Sequence, residues 1–509
     1  MIQKFQIRKK FTFLKFSSYV KFLLGYMKCS FCFFLQSSPF CTRLIYFISL
    51  SFAGLFALKT LKPKDLTNKP KDLDLFFMSA SAVTVSSMST VEMESFTDAQ
   101  SWVLTFLMLI GGEVFTSMLG LQFMKVKLSR ENSIDGRFIS NESDVEFAIS
   151  EDIIDKKRTI KCMSCLVHVV LGYLTVVNVA GSVSVLIYLT VVKQAGNLLK
   201  AKGIKLSTFS VFTTVSSFGN CGFTPANENM ALFSTNSLLL LIIIPQILAG
   251  NTLYPPLLSF SIWVLKKFTR KEEYGYILQH PHDVRYKHLF SSEACVYLSM
   301  TVLGFILVQT IVFCGLEWDS EVLMGMNWYQ KIVGSIFLSV NSRHAGESVV
   351  DLSKLSSAVL VLFAVMMYLP PYTSYVPITN NAETFSGESS KGTKNKDRKM
   401  ENLIFSQLTY LVIFVLLICL TERESMRTDP LNFNVFNIVF EVISAYGNVG
   451  FSIGYSCKKL LKLDQTCIDA SYGFVGKWSP KGKLLLIIVM IFGRLKKFNK
   501  QGGKAWKLS

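Results

Sequence analysis

Apolar blocks of about twenty residues, each long enough to cross a bilayer, alternate with charged stretches along this chain. The predicted spans are 42–61, 102–124, 165–192, 238–265, 295–314, 356–375, 403–420 and 484–492, the last running on to Arg494. Between the members of each successive pair lies a half-length apolar segment, at 75–83, 206–213, 328–338 and 433–443. A short Gly/Ser-bearing stretch follows each one: Val-Ser-Ser-Met-Ser at 85–89, Val-Ser-Ser-Phe-Gly at 215–219, Asn-Ser-Arg-His-Ala-Gly at 341–346 and Ser-Ala-Tyr-Gly-Asn at 444–448. Irregular backbone at membrane depth is tolerated only where it is buried in protein or lines a water-filled cavity. The pattern therefore predicts an all-α polytopic membrane protein, with four span–pore-helix–span repeats set pseudo-fourfold around one central pore.

The repeats are bounded at 42–124, 162–265, 291–380 and 402–498. Loops at 125–161, 266–290 and 381–401 separate them, with an N-terminal segment at 1–41 and a tail at 499–509. Lys and Arg choose the orientation, because basic loops stay cytoplasmic. Lys125, Lys127, Arg130, Lys266, Lys267, Lys391, Lys394, Lys496 and Lys497 all fall on one face with the termini, so both termini are expected in the cytoplasm. The connector with Lys62, Lys64, Lys69 and Lys71 runs against this, partly offset by Asp65, Asp72 and Asp74. Lys4, Arg8, Lys9 and Lys10 before an apolar run imitate a signal peptide but lack a small-residue cleavage site, so a retained cytoplasmic or interfacial segment is expected. The sequon at Asn141 falls in an inner loop and is expected to stay unmodified.

Composition agrees with the hydropathy pattern. Of 509 residues, 50% are hydrophobic and 17% charged, with a mean hydropathy of +0.38, whereas soluble domains are about a quarter charged. The net charge of +18 would suit a nucleic-acid binder. Its basic residues flank the apolar spans, however, so no nucleic acid is expected and the lipid bilayer is the partner. Cys29/Cys32 and Cys162/Cys165 have C-x-x-C spacing, but no further pair completes a four-ligand metal site. Cys457 and Cys467 share a polar loop placed outside, where a disulfide can form. No nucleophile–base pair stands out: His280, His282 and His288 lie in a basic loop and His344 in a Gly/Ser stretch. Neither an enzyme nor a cofactor is expected.

The chemistry lies in the four stretches. A dehydrated cation needs oxygens at fixed distance, and a ring of backbone carbonyls supplies them without net charge. Carbonyls face an axis from a tight loop only where some residues take positive φ, which Gly does at no steric cost. This argument selects Gly219, Gly346 and Gly447, with Ser89 as the odd member whose Cβ and hydroxyl narrow one side. Glu92, Glu94, Asn220, Glu228, Glu347, Asp351 and Asn448 follow the loops and are expected at an outer mouth, where they would concentrate cations. Glu113 and Arg494 are intramembrane charges, which are costly and usually functional. Arg494 either snorkels to the cytoplasmic face or faces the pore below the loops. Pro245, Gly250 and Pro255-Pro256, and Pro370-Pro371, are either plain kinks or a flexible element beneath the loops.

Five strings carry a family resemblance: V-S-S-M-S-T-V-E-M-E at 85–94, S-S-F-G-N-C-G-F-T-P-x-N-E-N-M at 216–230, N-S-R-H-A-G-E-S at 341–348, S-A-Y-G-N-V-G-F-S at 444–452 and G-R-L-K-K-F at 493–498. Along nearly its whole length the chain resembles the plant HKT transporters of the Trk/Ktr/HKT superfamily. The resemblance implies four repeats around one pore, with one selectivity residue from each: Ser89, Gly219, Gly346 and Gly447. In the family, Ser in the first loop goes with sodium and four glycines go with potassium or mixed transport. Passive, sodium-selective transport of monovalent cations across the plasma membrane is therefore expected. Arg494 matches the family's basic residue in the last span, implied to be a barrier near the pore. Relatives of the bacterial branch dimerise, which implies a homodimer with one pore per subunit. The long, Phe-rich N-terminus and the short tail after Phe498 depart from the pattern. A sodium–potassium symporter or a potassium transporter is the alternative of the same class. An alternating-access carrier for an organic solute is the alternative of another class, and would favour a midplane pocket on broken helices.

Overall fold

The computed structural model describes residues 39–64, 70–138, 146–284, 286–373, 407–460, 467, 469–470 and 473–499. The basic N-terminal run, Cys29 and Cys32, the Asn141 sequon, the 381–401 loop and the 500–509 tail lie outside them. Numbering only the helices that build the repeats, the first contains α1 (Pro39–Thr60), α2 (Asp72–Thr84), α3 (Asp98–Gly111) and α4 (Glu113–Phe138). The second contains α5 (Glu146–Val191), α6 (Leu206–Gly219), α7 (Ser237–Gly250) and α8 (Tyr254–Thr269). In the third are α9 (Ser292–Glu317), α10 (Trp328–Asn341) and α11 (Ser357–Tyr368), and in the fourth α12 (Gln407–Thr421), α13 (Val435–Gly447) and α14 (Pro480–Asn499). Among the described residues there is no β-strand, only a single bridge between Tyr455 and Ala470. The protein is an all-α body of four span–pore-helix–span units around a central pore.

The outside of this body is apolar. On α9 the side chains of Val296, Met300, Leu303, Leu307 and Ile311 are exposed and recur every three or four residues. Water would oppose such a stripe and hydrocarbon favours it. The half-length helices occupy the interior instead: Phe77, Met78, Ser79, Ala80, Ser81, Ala82, Val83 and Thr84 of α2 are fully buried. Helices of thirteen and fourteen residues reach about 20 Å, short of the roughly 30 Å hydrocarbon core, so they end inside it. Their hydroxyls bond back to helix carbonyls, as in Thr84 Oγ1 to Ala80 O at 2.7 Å, Ser210 Oγ to Leu206 O at 2.7 Å and Ser339 Oγ to Ser335 O at 2.7 Å. These three hydroxyls are thereby satisfied where no bulk water reaches, whereas Ser81, Thr213, Thr214 and Ser216 bury hydroxyls without a hydrogen-bond partner among the described residues.

Two of the second spans are broken. The α3–α4 pair bends by 52° at Gly112, and the α7–α8 pair by 86° across residues 251–253. Close backbone contact dictates small residues beside the breaks. A Cβ on Gly111 would lie 2.0 Å from the Val83 carbonyl oxygen, and one on Gly250 would lie 1.7 Å from that of Phe218. A side chain there would push the span off its pore helix. Thr97 starts α3 with a capping box, its Oγ1 accepting from Gln100 N while Gln100 Oε1 accepts from Thr97 N.

Two of the expected loops are in fact helical. Residues 215–219 form the last turn of α6, and residues 444–447 the last turn of α13. The chain leaves the helix only at Asn220 and Asn448, both left-handed at φ +56° and +49°. In the first repeat the exit is Val85, at φ +51°, as the sequence pattern led one to expect.

Candidate functional site

Each pore helix ends in the same turn. A backbone N–H reaches back five residues, from Ser86 to Ser81 O (2.9 Å), Cys221 to Ser216 O (2.8 Å), Gly346 to Asn341 O (3.3 Å) and Val449 to Ser444 O (3.0 Å). Beyond it the chain takes positive φ at Ser87 (+54°), Gly222 (+83°), Gly346 (+68°) and Gly450 (+97°). These four residues meet. A Cβ on Gly222 would lie 1.4 Å from the Ala345 carbonyl oxygen and 3.0 Å from Ser87 Oγ. One on Gly346 would lie 2.2 Å from the Val449 carbonyl oxygen, and one on Gly450 2.0 Å from Ser87 Cβ. Each loop therefore touches the next, and the fourth touches the first, closing a ring. Three places are open only to Gly; the fourth carries the Ser87 side chain.

The ring forms part of the wall of a cavity of about 230 Å³, which is also lined by Ser89, Thr224, Asn227, Glu228, Asp351 and Ser452. The pore helices end beside the ring, so the negative ends of their dipoles face it and favour a cation.

Several residues expected at the mouth lie behind the ring and brace it. Asn448 is buried; its Nδ2 donates to Ser86 Oγ (2.8 Å) and to Met490 O (3.0 Å), tying the fourth loop to the first. Glu347 is fully buried, and its Oε1 accepts from Ser217 Oγ at 2.6 Å, tying the third loop to α6. Asn220 is buried, with Nδ2 donating to Phe218 O at 3.1 Å. Their placement corrects the mouth assignment: Asn220 and Asn448 follow their pore helices immediately and precede the ring residues, and Glu347, directly after Gly346, turns inward to Ser217.

Glu94 and Glu228 do sit near the cavity, joined by a residue not singled out from the sequence. Lys202 Nζ lies 2.7 Å from Glu94 Oε1 and 2.7 and 2.6 Å from the two Glu228 carboxylate oxygens. Burial works against the Lys202 charge, but hydrogen bonds to Glu228 and Glu94 outweigh it and raise its pKa above the ordinary lysine value. Glu92 is half-buried at the start of the single turn Met93–Ser95. Cys457 and Cys467 are joined by a disulfide, with their Cα atoms 5.9 Å apart.

Arg494 does not snorkel. It is 1% exposed; its Nη2 donates to Gly111 O at 2.5 Å, and Nη1 lies 4.0 Å from Glu113 Oε2. The guanidinium thus sits at the break in the first repeat's second span, between the carbonyl end of α3 and the first residue of α4. Helix dipoles favour both charges there, the cation by the C-terminus and the anion by the N-terminus.

Residues 40–499 match the family model described as TrkH, cation transport protein. The chain belongs to this family of cation transport proteins. Within the family it belongs with the HKT transporters. It is 54% identical to the cation transporter HKT1;3 of Oryza sativa, over 99% of this chain and 98% of that protein. It is 50% identical to the sodium transporter HKT1 of Arabidopsis thaliana, over 89% and 92%, and 49% identical to the cation transporter HKT1;1 of Oryza sativa, over 91% and 87%.

In this HKT chain the structure brings together only one of the four residues expected to share the ring, Gly346. Gly219 and Gly447 close their helices without positive φ. A Cβ on Gly219 would make an ordinary 3.5 Å contact with the Met108 carbonyl oxygen, and one on Gly447 would lie 2.5 Å from that of Met367. Their job is packing against the preceding repeat's second span. Ser89 lines the cavity, but its hydroxyl donates to Val91 O at 2.6 Å. The residues missed are Ser87, Gly222 and Gly450. A signal existed: N-C-G-F at 220–223 and N-V-G-F at 448–451 match better than the Thr-Val-Ser-Ser echo of 84–87 and 214–217, which runs five residues out of register with the fold. His288 likewise leaves its basic loop for the interior, its Nδ1 2.7 Å from the Tyr372 hydroxyl.

Proposed function

We propose that this chain is a passive, sodium-selective cation transporter of the plasma membrane, with Ser87, Gly222, Gly346 and Gly450 as its selectivity ring. The observation that carries this reading is Ser87 in a ring whose other three members are glycines. Its Cβ and hydroxyl take up space on one side, which disfavours the larger potassium ion more than sodium. The Arabidopsis relative's designation as a sodium transporter points the same way. Flow follows the electrochemical gradient, worth about 2.3 kcal/mol per charge per 100 mV. Arg494, held at the break in the first repeat's second span by Gly111 O and Glu113, is the residue we assign as the barrier that keeps flux below that of an open ring. The basic loops around Lys125, Lys266 and Lys496 support a cytoplasmic location for both termini. A homodimer with one pore per subunit is the assembly we favour.

The test is the reversal potential in cells without endogenous sodium conductance, under paired sodium and potassium solutions. A potential following sodium supports the reading. One that follows potassium equally favours the second reading, sodium–potassium or potassium transport, which rests on the three ring glycines. A potential blind to all alkali cations overturns both.

A further inference from the structure

We propose that Lys202 sets the affinity of the outer vestibule for the incoming cation, by competing with it for the Glu228 carboxylate. The inference rests on the ring being the ion path and adds a residue that the path itself does not contain.

The three charged side chains of this cluster, Glu94, Lys202 and Glu228, are held very differently. Glu94 is fixed twice over by the neighbouring repeat even without the lysine: its Oε1 accepts from Asn227 N at 3.1 Å, and its own backbone N donates to Asn227 Oδ1 at 3.1 Å. Glu228 is held through both oxygens by Lys202 and by no other side chain among the described residues. Its side chain is 48% exposed, against 22% for Lys202, and it lines the same cavity as Ser87, Gly222, Gly346 and Gly450. The Lys202 backbone is pinned by the end of helix Lys193–Ala201, where Ile204 N donates to Leu199 O at 3.0 Å and Gly203 takes φ +70°. Only the flexible side chain is left to move. Two carboxylates and one ammonium leave the cluster one unit negative, enough to attract a cation, while the bound ammonium masks Glu228, the carboxylate of this cluster that lines the cavity.

A cation entering the vestibule meets Glu228 already paired. It must displace the ammonium or pass a neutralised group, and either lowers occupancy at low external sodium. Of the other charges nearby, Lys205 pairs with Asp98 at 2.7 Å and Lys64 Nζ donates to the Glu94 carbonyl at 3.0 Å, while Asp351, which also lines the cavity, accepts only from Ser353 N at 3.0 Å among the described residues.

The experiment measures current against graded external sodium for the wild type, Lys202→Gln, Lys202→Arg, Glu228→Gln and the double variant Lys202→Gln/Glu228→Gln, each normalised to surface protein. Lys202→Gln is expected to lower the half-saturating sodium about threefold or more, since a fixed charge removed from a cleft changes local cation concentration on that scale. Lys202→Arg should behave as wild type, Glu228→Gln should raise half-saturation, and the double variant should fall close to wild type. The sodium-to-potassium permeability ratio should hold constant across the set, which a loosened ring would not allow. Unchanged half-saturation in Lys202→Gln, or a shifted permeability ratio, overturns the proposal. If Lys202→Gln fails to reach the surface, Glu228→Gln decides: a raised half-saturation supports the competition and an unchanged one overturns it. A wild type that passes no alkali cation would overturn the transport reading instead.

Discussion

Ser87→Gly separates the ring seen in the structure from the one suggested by the sequence alone. Ser87 sits at φ +54°, where a residue with a Cβ costs about 1 kcal/mol or more relative to Gly. The substitution should therefore not destabilise the loop. Its side chain lies between the glycine positions on either side: a Cβ on Gly450 would be 2.0 Å from Ser87 Cβ, and one on Gly222 would be 3.0 Å from Ser87 Oγ. Removing it opens one quadrant of the ring and makes four equivalent places. Sodium still passes, because a flexible ring contracts around it or leaves it partly hydrated, and potassium gains the width it needs. A change of about 1.4 kcal/mol in relative barrier is tenfold in permeability ratio, and relief of one steric contact supplies that order. The assay is the reversal potential under paired sodium and potassium solutions for wild type, Ser87→Gly and Ser89→Gly. Ser89→Gly loses the hydrogen bond to Val91 O, about 1 kcal/mol of stability, and should leave the ratio alone. A shift at Ser89 with none at Ser87 would refute the argument and restore the sequence register.

Gly222→Ala should abolish current at normal surface level, because its Cβ would lie 1.4 Å from the Ala345 carbonyl oxygen; Gly219→Ala, with only a 3.5 Å contact, should conduct, and the paired current measurement checks both. Arg494→Gln leaves Glu113 without its ion-pair partner and should cost about 3 kcal/mol, read as a lower melting temperature in detergent. Adding Glu113→Gln should recover most of that loss, and in surviving channels flux should rise with little change in selectivity. Cys457→Ser removes a disulfide spanning ten residues, worth about 2–3 kcal/mol; melting should fall while the reversal potential stays put.

Spans, half-length helices and four repeats were legible because hydrocarbon enforces a length and a polarity that any chain must display residue by residue. The disulfide partners were legible as a candidate pair for a similar local reason, sharing one short polar loop. Register within the loops was not. The pore helices of the first two repeats are 13 and 14 residues long and end at Thr84 and Gly219, so the Thr-Val-Ser-Ser string straddles the end of one helix and lies inside the other, and the string itself does not mark the stop. Nor did charge reveal position: Glu347 and Asn448 read as mouth residues but bond inward to Ser217 and Ser86, while Lys202, which nothing in the sequence singled out, bridges Glu94 and Glu228. Hydropathy and the fourfold repeat sufficed to show that this chain crosses a membrane repeatedly and brings four loops to one axis. Which residue of each loop enters the ring emerged from the folded chain alone, because positive φ and close backbone approach belong to contacts between repeats far apart in the chain.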